Sequence, residues 1–154
     1  MNKDEILARE LGKLGAVGGS FGGLGGALGG YIGASFVSRF LPTETYNQSL
    51  TLSCDAERAL RIIVDVLARL GQIQDSEAIE SPNPAVMGII GSGFLNMNPC
   101  LIGIEIVSFS EGTTTISVSG AAKEGLIKQR TAEKGVMRVI AAIQTELSQP
   151  SKST

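Results

Sequence analysis

The chain has 154 residues, a formal net charge of −2, and charged side chains at only 18% of its positions. It contains no histidine, which excludes Ser-His and Cys-His catalysis and most zinc sites. The small net charge gives no bulk attraction to nucleic acid, so we expect no nucleic-acid partner. The length allows one globular domain in addition to a separate helix.

The first thirteen residues predict a short amphipathic helix. Leu7, Leu11 and Leu14 recur at the i, i+4, i+7 spacing of one helix face, and charged residues occupy the other positions. Such a helix can lie on a membrane surface, or it can pack on a neighbouring subunit.

Residues 14–41 hold ten of the twenty glycines and a single charged residue, Arg39. On a helix with 100° per residue, small and bulky side chains separate onto opposite sides. The glycine face consists of Gly15, Gly18, Gly19, Gly22, Gly23, Gly25, Gly26, Gly29, Gly30 and Gly33. The opposite face consists of Val17, Phe21, Leu24, Leu28, Tyr31 and Ile32. This separation predicts a helix rather than a flexible linker.

A glycine-rich helix is costly in water, at about 1 kcal/mol for each glycine. In a lipid bilayer an unpaired backbone amide costs more than that, so the helix becomes the favoured conformation. As a helix, the stretch from Val17 to Val37 is about 31 Å long, close to the thickness of a bilayer core. We therefore predict a single-pass membrane helix. A helix buried between protein subunits and a disordered arm are the alternatives.

The glycines also repeat at GxxxG spacing, for example along Gly18, Gly22, Gly26 and Gly30. In this respect the segment resembles the glycine-zipper membrane proteins. The resemblance implies that the glycine face brings two helices into close contact, with the chain itself as partner and membrane lipid around it.

Pro42 ends the glycine-rich helix, and we place the domain boundary there. The chain then divides into residues 1–42, an α+β domain over residues 43–148, and a polar tail over 149–154. Residues 45–54 alternate as a first strand. Asp55 is the expected N-cap of a helix that ends at Leu70, before Gly71. Its expected buried residues are Leu60, Ile63, Val64, Leu67 and Leu70.

Four strands are predicted next, over residues 72–80, 85–94, 101–109 and 113–119. The first is polar and is expected at an edge of the sheet. The last two form a hairpin, with Ile102, Ile104 and Ile106 on one face. Glu105 lies on the opposite face, together with Leu101, Val107 and Phe109.

Residues 126–148 predict the last helix, with an apolar face of Ala132, Val136, Val139, Ile140, Ile143 and Leu147. Near its start are four basic residues, Lys128, Arg130, Lys134 and Arg138. A solvated helix face is the plain interpretation of these residues, and contact with an anionic surface is the functional one. Cys54 and Cys100 show no metal-ligand spacing, so we expect two buried thiols, although a disulfide between them stays open.

The order strand, helix, four strands, helix resembles the TATA-binding-protein-like fold group. Small ligand-binding domains of the Bet v 1 and polyketide-cyclase kind share the same plan of a sheet and a long helix. The resemblance implies an α+β fold with an antiparallel sheet packed by two helices. It rests on element order alone, so it implies no functional residue.

These observations predict a non-enzymatic, membrane-anchored protein that self-associates through its glycine face and exposes a small α+β domain to water. No cofactor or metal is expected. The alternative is a soluble, cytoplasmic α+β protein that binds a ligand or forms an assembly, with its glycine helix buried between subunits.

Overall fold

The computed structural model describes residues 3–10, 41–74, 85–92, 98–124 and 128–149. In these ranges the chain forms three helices and five strands. The helices are α1 (3–10), α2 (Ala56–Leu70) and α3 (Thr131–Ser148). The strands are β1 (Thr43–Leu52), β2 (Gly71–Gln74), β3 (Ala85–Ser92), β4 (Asn98–Ser110) and β5 (Thr113–Lys123).

The five strands form one antiparallel sheet in the order β1-β5-β4-β3-β2. β4 and β5 are joined by a tight turn in which Gly112 has a φ of 75°, a conformation that favours glycine. β2 lies at an edge of the sheet, as its polar sequence predicts. The prediction of an α+β fold with element order β-α-β4-α is confirmed.

α2 and α3 cover the same face of the sheet, which we call the inner face. α3 lies over β1 and β5, and α2 lies over β2 and β3. The inner positions of the central strands alternate with outer ones, which is the pattern expected for a sheet with one buried face. The centre of this core consists of Ile63, Val66, Ile102, Ile104, Ile116, Val118, Val136 and Ile143.

Two glycines bring α3 very close to the sheet. A Cβ atom added at Gly120 of β5 would stand 2.7 Å from Val136 Cγ2 and 2.9 Å from the backbone oxygen of Ala132. A Cβ atom added at Gly135 of α3 would stand 2.7 Å from the Sγ atom of Cys100. Because real Cβ atoms do not approach that closely, larger residues at these two positions would push the helix off the sheet.

α1 packs on the other face of the sheet, which we call the outer face. Ile6 and Leu7 are buried against Leu101 and Ala121, with Met87 and Ile89 beside them. The amphipathic helix is therefore confirmed over 3–10, but its apolar side meets the chain's own sheet. In the described part of this helix, the predicted contact of the apolar side with a membrane surface or a neighbouring subunit is therefore replaced by contact with the sheet.

The apolar face of α2 is rotated from the predicted one. Ala59, Ile62 and Val66 are fully or almost fully buried, whereas Leu60 and Val64 are 36% and 37% exposed. Leu60 and Val64 lie about 90° or more from the centre of the buried arc, so they face the flank of the helix. The N-cap is as predicted, because Asp55 Oδ1 accepts a hydrogen bond of 2.8 Å from the Arg58 N–H.

A bulge changes the faces at the end of β4. Pairing with β5 shifts between Ile106 and Ser108, so Val107 is an extra residue. Beyond the bulge, Phe109 pairs with Thr114, whose side chain points to the inner face. The prediction that Phe109 shares the outer face with Glu105 is therefore wrong, because one inserted residue reverses the alternation.

α3 begins at Thr131, five residues later than predicted. Arg130 has a φ of 54°, in the left-handed region, so the helix cannot extend back through it. The ten-glycine face, from Gly15 to Gly33, lies outside the described residues, as do residues 75–84 and 93–97. The predicted division at residue 42 stays a prediction, although α1 crosses it by packing on the sheet.

Candidate functional site

The outer face of the sheet carries small side chains near its middle. Ala85, Gly103, Ser117 and Ser119 leave a hollow beside α1, because none of them rises far above the backbone. The hollow is an open groove of about 490 Å³, with Lys3 and Ile6 of α1 along one side. The groove is open to solvent on its other side, where Asn47 of β1 lies.

The hydroxyl groups of the groove are engaged in hydrogen bonds within the protein. Ser119 Oγ donates to the Gly103 carbonyl over 3.1 Å, and Ser117 Oγ donates to Asn47 Oδ1 over 3.0 Å. A serine nucleophile needs a neighbouring base, and the sequence contains no histidine. Glu105 lies at this groove, on the outer face as predicted. The two serine hydroxyl protons are therefore already bound to acceptors within the protein.

Lys123, at the end of β5, bonds both to α1, which precedes the glycine-rich segment, and to Leu41, the last residue of that segment. Its Nζ atom donates to Asp4 Oδ1 over 2.7 Å and to the carbonyl of Leu41 over 3.3 Å. Thr43 Oγ1 donates to the same Asp4 oxygen over 2.7 Å. The Lys123 side chain is only 4% exposed, so its charge is buried in this cluster. We call Asp4, Leu41, Thr43 and Lys123 the junction cluster.

The electrostatics of the junction cluster favour the ionised pair. The hydrogen bond from Lys123, followed by the one from Thr43, lowers the pKa of Asp4 below its ordinary value. Burial of an ammonium group is costly unless the group is paired, so the pairing with Asp4 offsets the cost of burying the Lys123 ammonium group. The far end of α1 is held as well, since Arg9 donates to Gln74 Oε1 over 3.4 Å.

A second cluster lies where α3 begins. The N-cap residue Arg130 offers no side-chain cap, so carboxylates from elsewhere accept the free N–H groups. Glu124 Oε1 accepts from Gln129 over 3.1 Å and from Thr131 over 2.9 Å, and Glu44 Oε2 accepts from Ala132 over 2.9 Å. Carboxylates are stabilising at this end of a helix because of its partial positive charge.

The two glutamates have pKa values displaced in opposite directions. Burial, and then a hydrogen bond with Glu124, raise the pKa of Glu44. Burial also acts to raise the pKa of Glu124, but the hydrogen bonds it accepts, first that of Thr131, outweigh burial and lower it. Glu44 is therefore the member of the pair that takes up a proton first.

The four basic residues of the predicted anionic contact are all exposed, but they do not form one free stripe. Lys128 and Arg130 line an open cleft together with the glutamates of the second cluster. Arg130 pairs with Glu133 at 3.5 Å, and Arg138 donates to the Gly91 carbonyl over 3.0 Å. Lys134 projects from α3 into solvent. The mixed charge of the cleft makes it a weak place for an anion.

Both cysteines are free and buried, which confirms the prediction of two buried thiols. Burial raises the pKa of Cys100 to about 12 and raises that of Cys54 as well, so neither is a reactive thiolate at neutral pH. In the ranges that the structure describes, no group of acidic, histidine or cysteine side chains is arranged to hold a metal ion. Within the same ranges, no helix has the length and apolarity needed to cross a bilayer.

Neither cluster was predicted from the sequence. Asp4 and Lys123 are 119 residues apart, and nothing local marks them as partners. A signal for the second cluster existed, because Arg130 is a poor N-cap residue and a helix that starts there needs an acceptor from elsewhere. Because the helix was predicted to begin at residue 126, Arg130 was placed inside it and was not considered as its N-cap.

No protein-family model matches this sequence, and a comparison with curated proteins finds no match. Among solved structures, the chain is similar to the ZhuI aromatase/cyclase from Streptomyces sp. R1128, with 8% identity and a TM-score of 0.46 over 73% of this chain and 100% of the other. It is also similar to a START superfamily protein from Mycobacterium smegmatis, with 11% identity and a TM-score of 0.42 over 68% and 97%. With TM-scores below 0.5, neither similarity carries an argument about this chain's ligand or activity.

Proposed function

We propose that this chain is a non-enzymatic, assembly-forming α+β protein. In this proposal the glycine-rich segment makes contacts between copies of the chain and is not a single-pass membrane helix. This is the alternative that the sequence leaves open, preferred here to the single-pass anchor.

The observation that carries the proposal is the junction cluster. α1 precedes the glycine-rich segment and Leu41 is its last residue, and Lys123 bonds to both Asp4 of α1 and Leu41. α1 has eight residues and is about 12 Å long, so the segment leaves and rejoins the same small domain. A single crossing would separate its two ends by about 30 Å, on opposite sides of the bilayer.

The closed inner face supports assembly over binding a ligand inside the core. Gly120 and Gly135 allow α3 to sit directly on β4 and β5, where a helix held further away would leave a cavity. The surfaces available for a partner therefore lie on the outer face, at the sheet edges and in the glycine-rich segment. The absence of histidine and the engaged groove serines support a non-enzymatic role.

The outer groove supports a second candidate function, the binding of a small, partly apolar ligand. Its volume of about 490 Å³ lies within the range of small-molecule sites, and Ile6, Met87 and Leu101 give it an apolar side. The test is binding of the dye 8-anilinonaphthalene-1-sulfonate to the wild type and to Gly103→Val, which fills the groove. Loss of dye binding in the variant supports this role, and unchanged binding argues against it.

The proposal is tested by extraction and mass measurement of the full chain. We expect extraction without detergent and a mass corresponding to several copies. Gly26→Leu, at the centre of the glycine face, should lower that mass, and Leu28→Ile, on the bulky face, should leave it unchanged. A chain that needs detergent, or one whose mass is the same in Gly26→Leu, would contradict the proposal.

A further inference from the structure

β1 is a long edge strand whose second side is open in the described part of the chain. It has ten residues, and each of them from Thr43 to Leu52 pairs with β5 without a register shift. β5 occupies one side of β1, and none of the described strands pairs with the other. The described part of the opposite edge strand, β2, has four residues. Among the described residues, β1 therefore offers more edge backbone to an incoming strand than β2 does.

The residues of β1 lack several of the features that usually protect an edge strand from pairing. Its sequence, TETYNQSLTL, contains no lysine, no proline and no glycine, and its pairing with β5 shows no bulge. Its single charged residue is Glu44, near the beginning of the strand. The carboxylate of Glu44 accepts the Ala132 N–H at the start of α3, so it is directed to the inner face and not along the open edge.

Two polar side chains on the outer face of β1 hydrogen-bond to β5 and not to the open edge. Asn47 accepts a hydrogen bond from Ser117, and Thr51 exchanges one of 3.2 Å with Thr115. On the inner face, Tyr46 and Leu50 are half-buried and pack against the core. An approaching strand would therefore meet backbone without charged side chains directed along the edge. It would also bury the exposed parts of Tyr46 and Leu50.

We propose that a second copy of this chain pairs its β1 with β1, antiparallel, about a twofold axis near Gln48. This pairing joins two five-stranded sheets into one of ten strands. It aligns Tyr46 with Leu50 of the second copy, and it keeps every inner residue on the inner face because paired positions have the same parity. The contact is isologous, as a closed dimer requires.

The position of the charge selects the antiparallel arrangement. Antiparallel pairing about Gln48 places the two copies of Glu44 eight residues apart along the sheet, or about 27 Å. Parallel pairing in register would place them on neighbouring strands, where like charges are destabilising. The hydroxyl and amide side chains at Asn47 and Ser49 would lie opposite each other across the axis.

The inference rests on the proposed function, because it identifies one of the contacts that build the assembly, and it is separable from the glycine contact. The test compares Ser49→Lys with Ser108→Lys in the full chain. Both serines are exposed and lie in strands, but Ser49 is on the edge strand and Ser108 is on the interior strand β4. Two lysines at position 49 would stand diagonally across the axis and repel each other.

We expect Ser49→Lys to halve the mass of the assembly and Ser108→Lys to leave it unchanged. If Ser49→Lys keeps the wild-type mass, the edge contact is wrong, whatever Gly26→Leu does. If only Ser49→Lys lowers the mass, the edge contact holds and the glycine contact fails.

Hydrogen exchange of the β1 amides gives a second readout that does not depend on a variant. In an open edge, every second amide of β1 faces solvent and exchanges fast. In the paired edge all of them are protected, and the protection of the alternate amides falls when the protein is diluted. Fast exchange at alternate positions at every concentration would overturn the proposal.

Discussion

The two faces of the sheet are closed in different ways. On the inner face, α2 and α3 bury a continuous core, and the absence of side chains at Gly120 and Gly135 lets α3 touch the sheet. On the outer face, the described part of the chain contributes one helix of eight residues, which leaves a groove beside it. The inner face thus accounts for stability, whereas the outer face and the β1 edge offer surface for contacts.

This difference also locates the attachment of the glycine-rich segment. The helix before it and its last residue, Leu41, both meet the domain at the outer face, where Asp4, Leu41 and Thr43 surround the ammonium group of Lys123. The inner face has no part in that attachment in the described residues.

Replacement of a glycine by alanine should reduce the free energy of unfolding much more on the inner face than on the outer face. Gly120→Ala inserts a Cβ atom against Val136 and the backbone of Ala132, and we expect a loss of about 2–3 kcal/mol in the free energy of unfolding. Gly103→Ala meets only the Ser119 hydroxyl, at 2.9 Å, which can turn away, so we expect less than about 1 kcal/mol. Urea denaturation of both variants measures the contrast, and equal losses would remove the distinction between the faces.

Loss of a buried side chain from α1 should open the outer face and leave the inner core folded. Leu7 is fully buried, and Leu7→Ala should cost about 2 kcal/mol in the docking of α1. Hydrogen exchange should become faster in α1, with little change in α2 or α3. Faster exchange throughout all three helices would mean that the two faces are one cooperative unit.

The two glutamates at the start of α3 should show opposite dependence on pH. The lowered pKa of Glu124 means that its contribution is present at neutral pH and is lost as the pH falls through its native pKa. We expect Glu124→Gln to cost about 1–2 kcal/mol at pH 7 and progressively less in acid, because the wild type then becomes protonated too.

Glu44 has a raised pKa, so in wild type it lowers stability as the pH rises from its ordinary value of 4.5 through its native pKa. Glu44→Gln should therefore be at least as stable as wild type at pH 7, and the difference should vanish below pH 4.5. Thermal unfolding between pH 3 and pH 8 separates the two variants, and parallel curves for them would reject the assignment.

The smallest effect is expected at the exposed surface of α3. Replacement of Arg130, Lys134 and Arg138 by glutamine should change the free energy of unfolding by less than about 1 kcal/mol, since these side chains are exposed. If the predicted anionic contact exists, binding to vesicles of anionic lipid should weaken by about 1 kcal/mol for each removed charge. Binding that is equal for the triple variant and the wild type across a salt series would reject that contact.

Local patterns in the sequence were sufficient for most of the fold. The N-cap Asp55, the isoleucines of β4 and the apolar face of α3 follow periodic or capping rules that act within a few residues. The prediction failed at two positions where the backbone departs from regular geometry. One inserted residue in β4 reverses the face of Phe109, and the left-handed conformation of Arg130 delays α3.

The candidate site depended on distant contacts. The junction cluster joins α1 to β5, and the caps of α3 come in part from β1, so neither has a local signature. The packing of α1 on the outer face could not be predicted from the sequence for the same reason. An amphipathic stripe does not specify which apolar surface it meets. The outer-face position of Glu105 was predicted correctly, since strand alternation alone decides it.

The most direct test of the central claim asks whether the two ends of the glycine-rich segment lie on the same side of any membrane. Lys3→Cys and Thr45→Cys place exposed thiols before and after the segment, and the native Cys54 and Cys100 are buried, with raised pKa values. A membrane-impermeant maleimide is added to intact cells or vesicles, and then again after detergent. We expect the two positions to react to the same extent at each stage. Reaction at one position before detergent, and at the other only after it, would show a single crossing and contradict the proposed function.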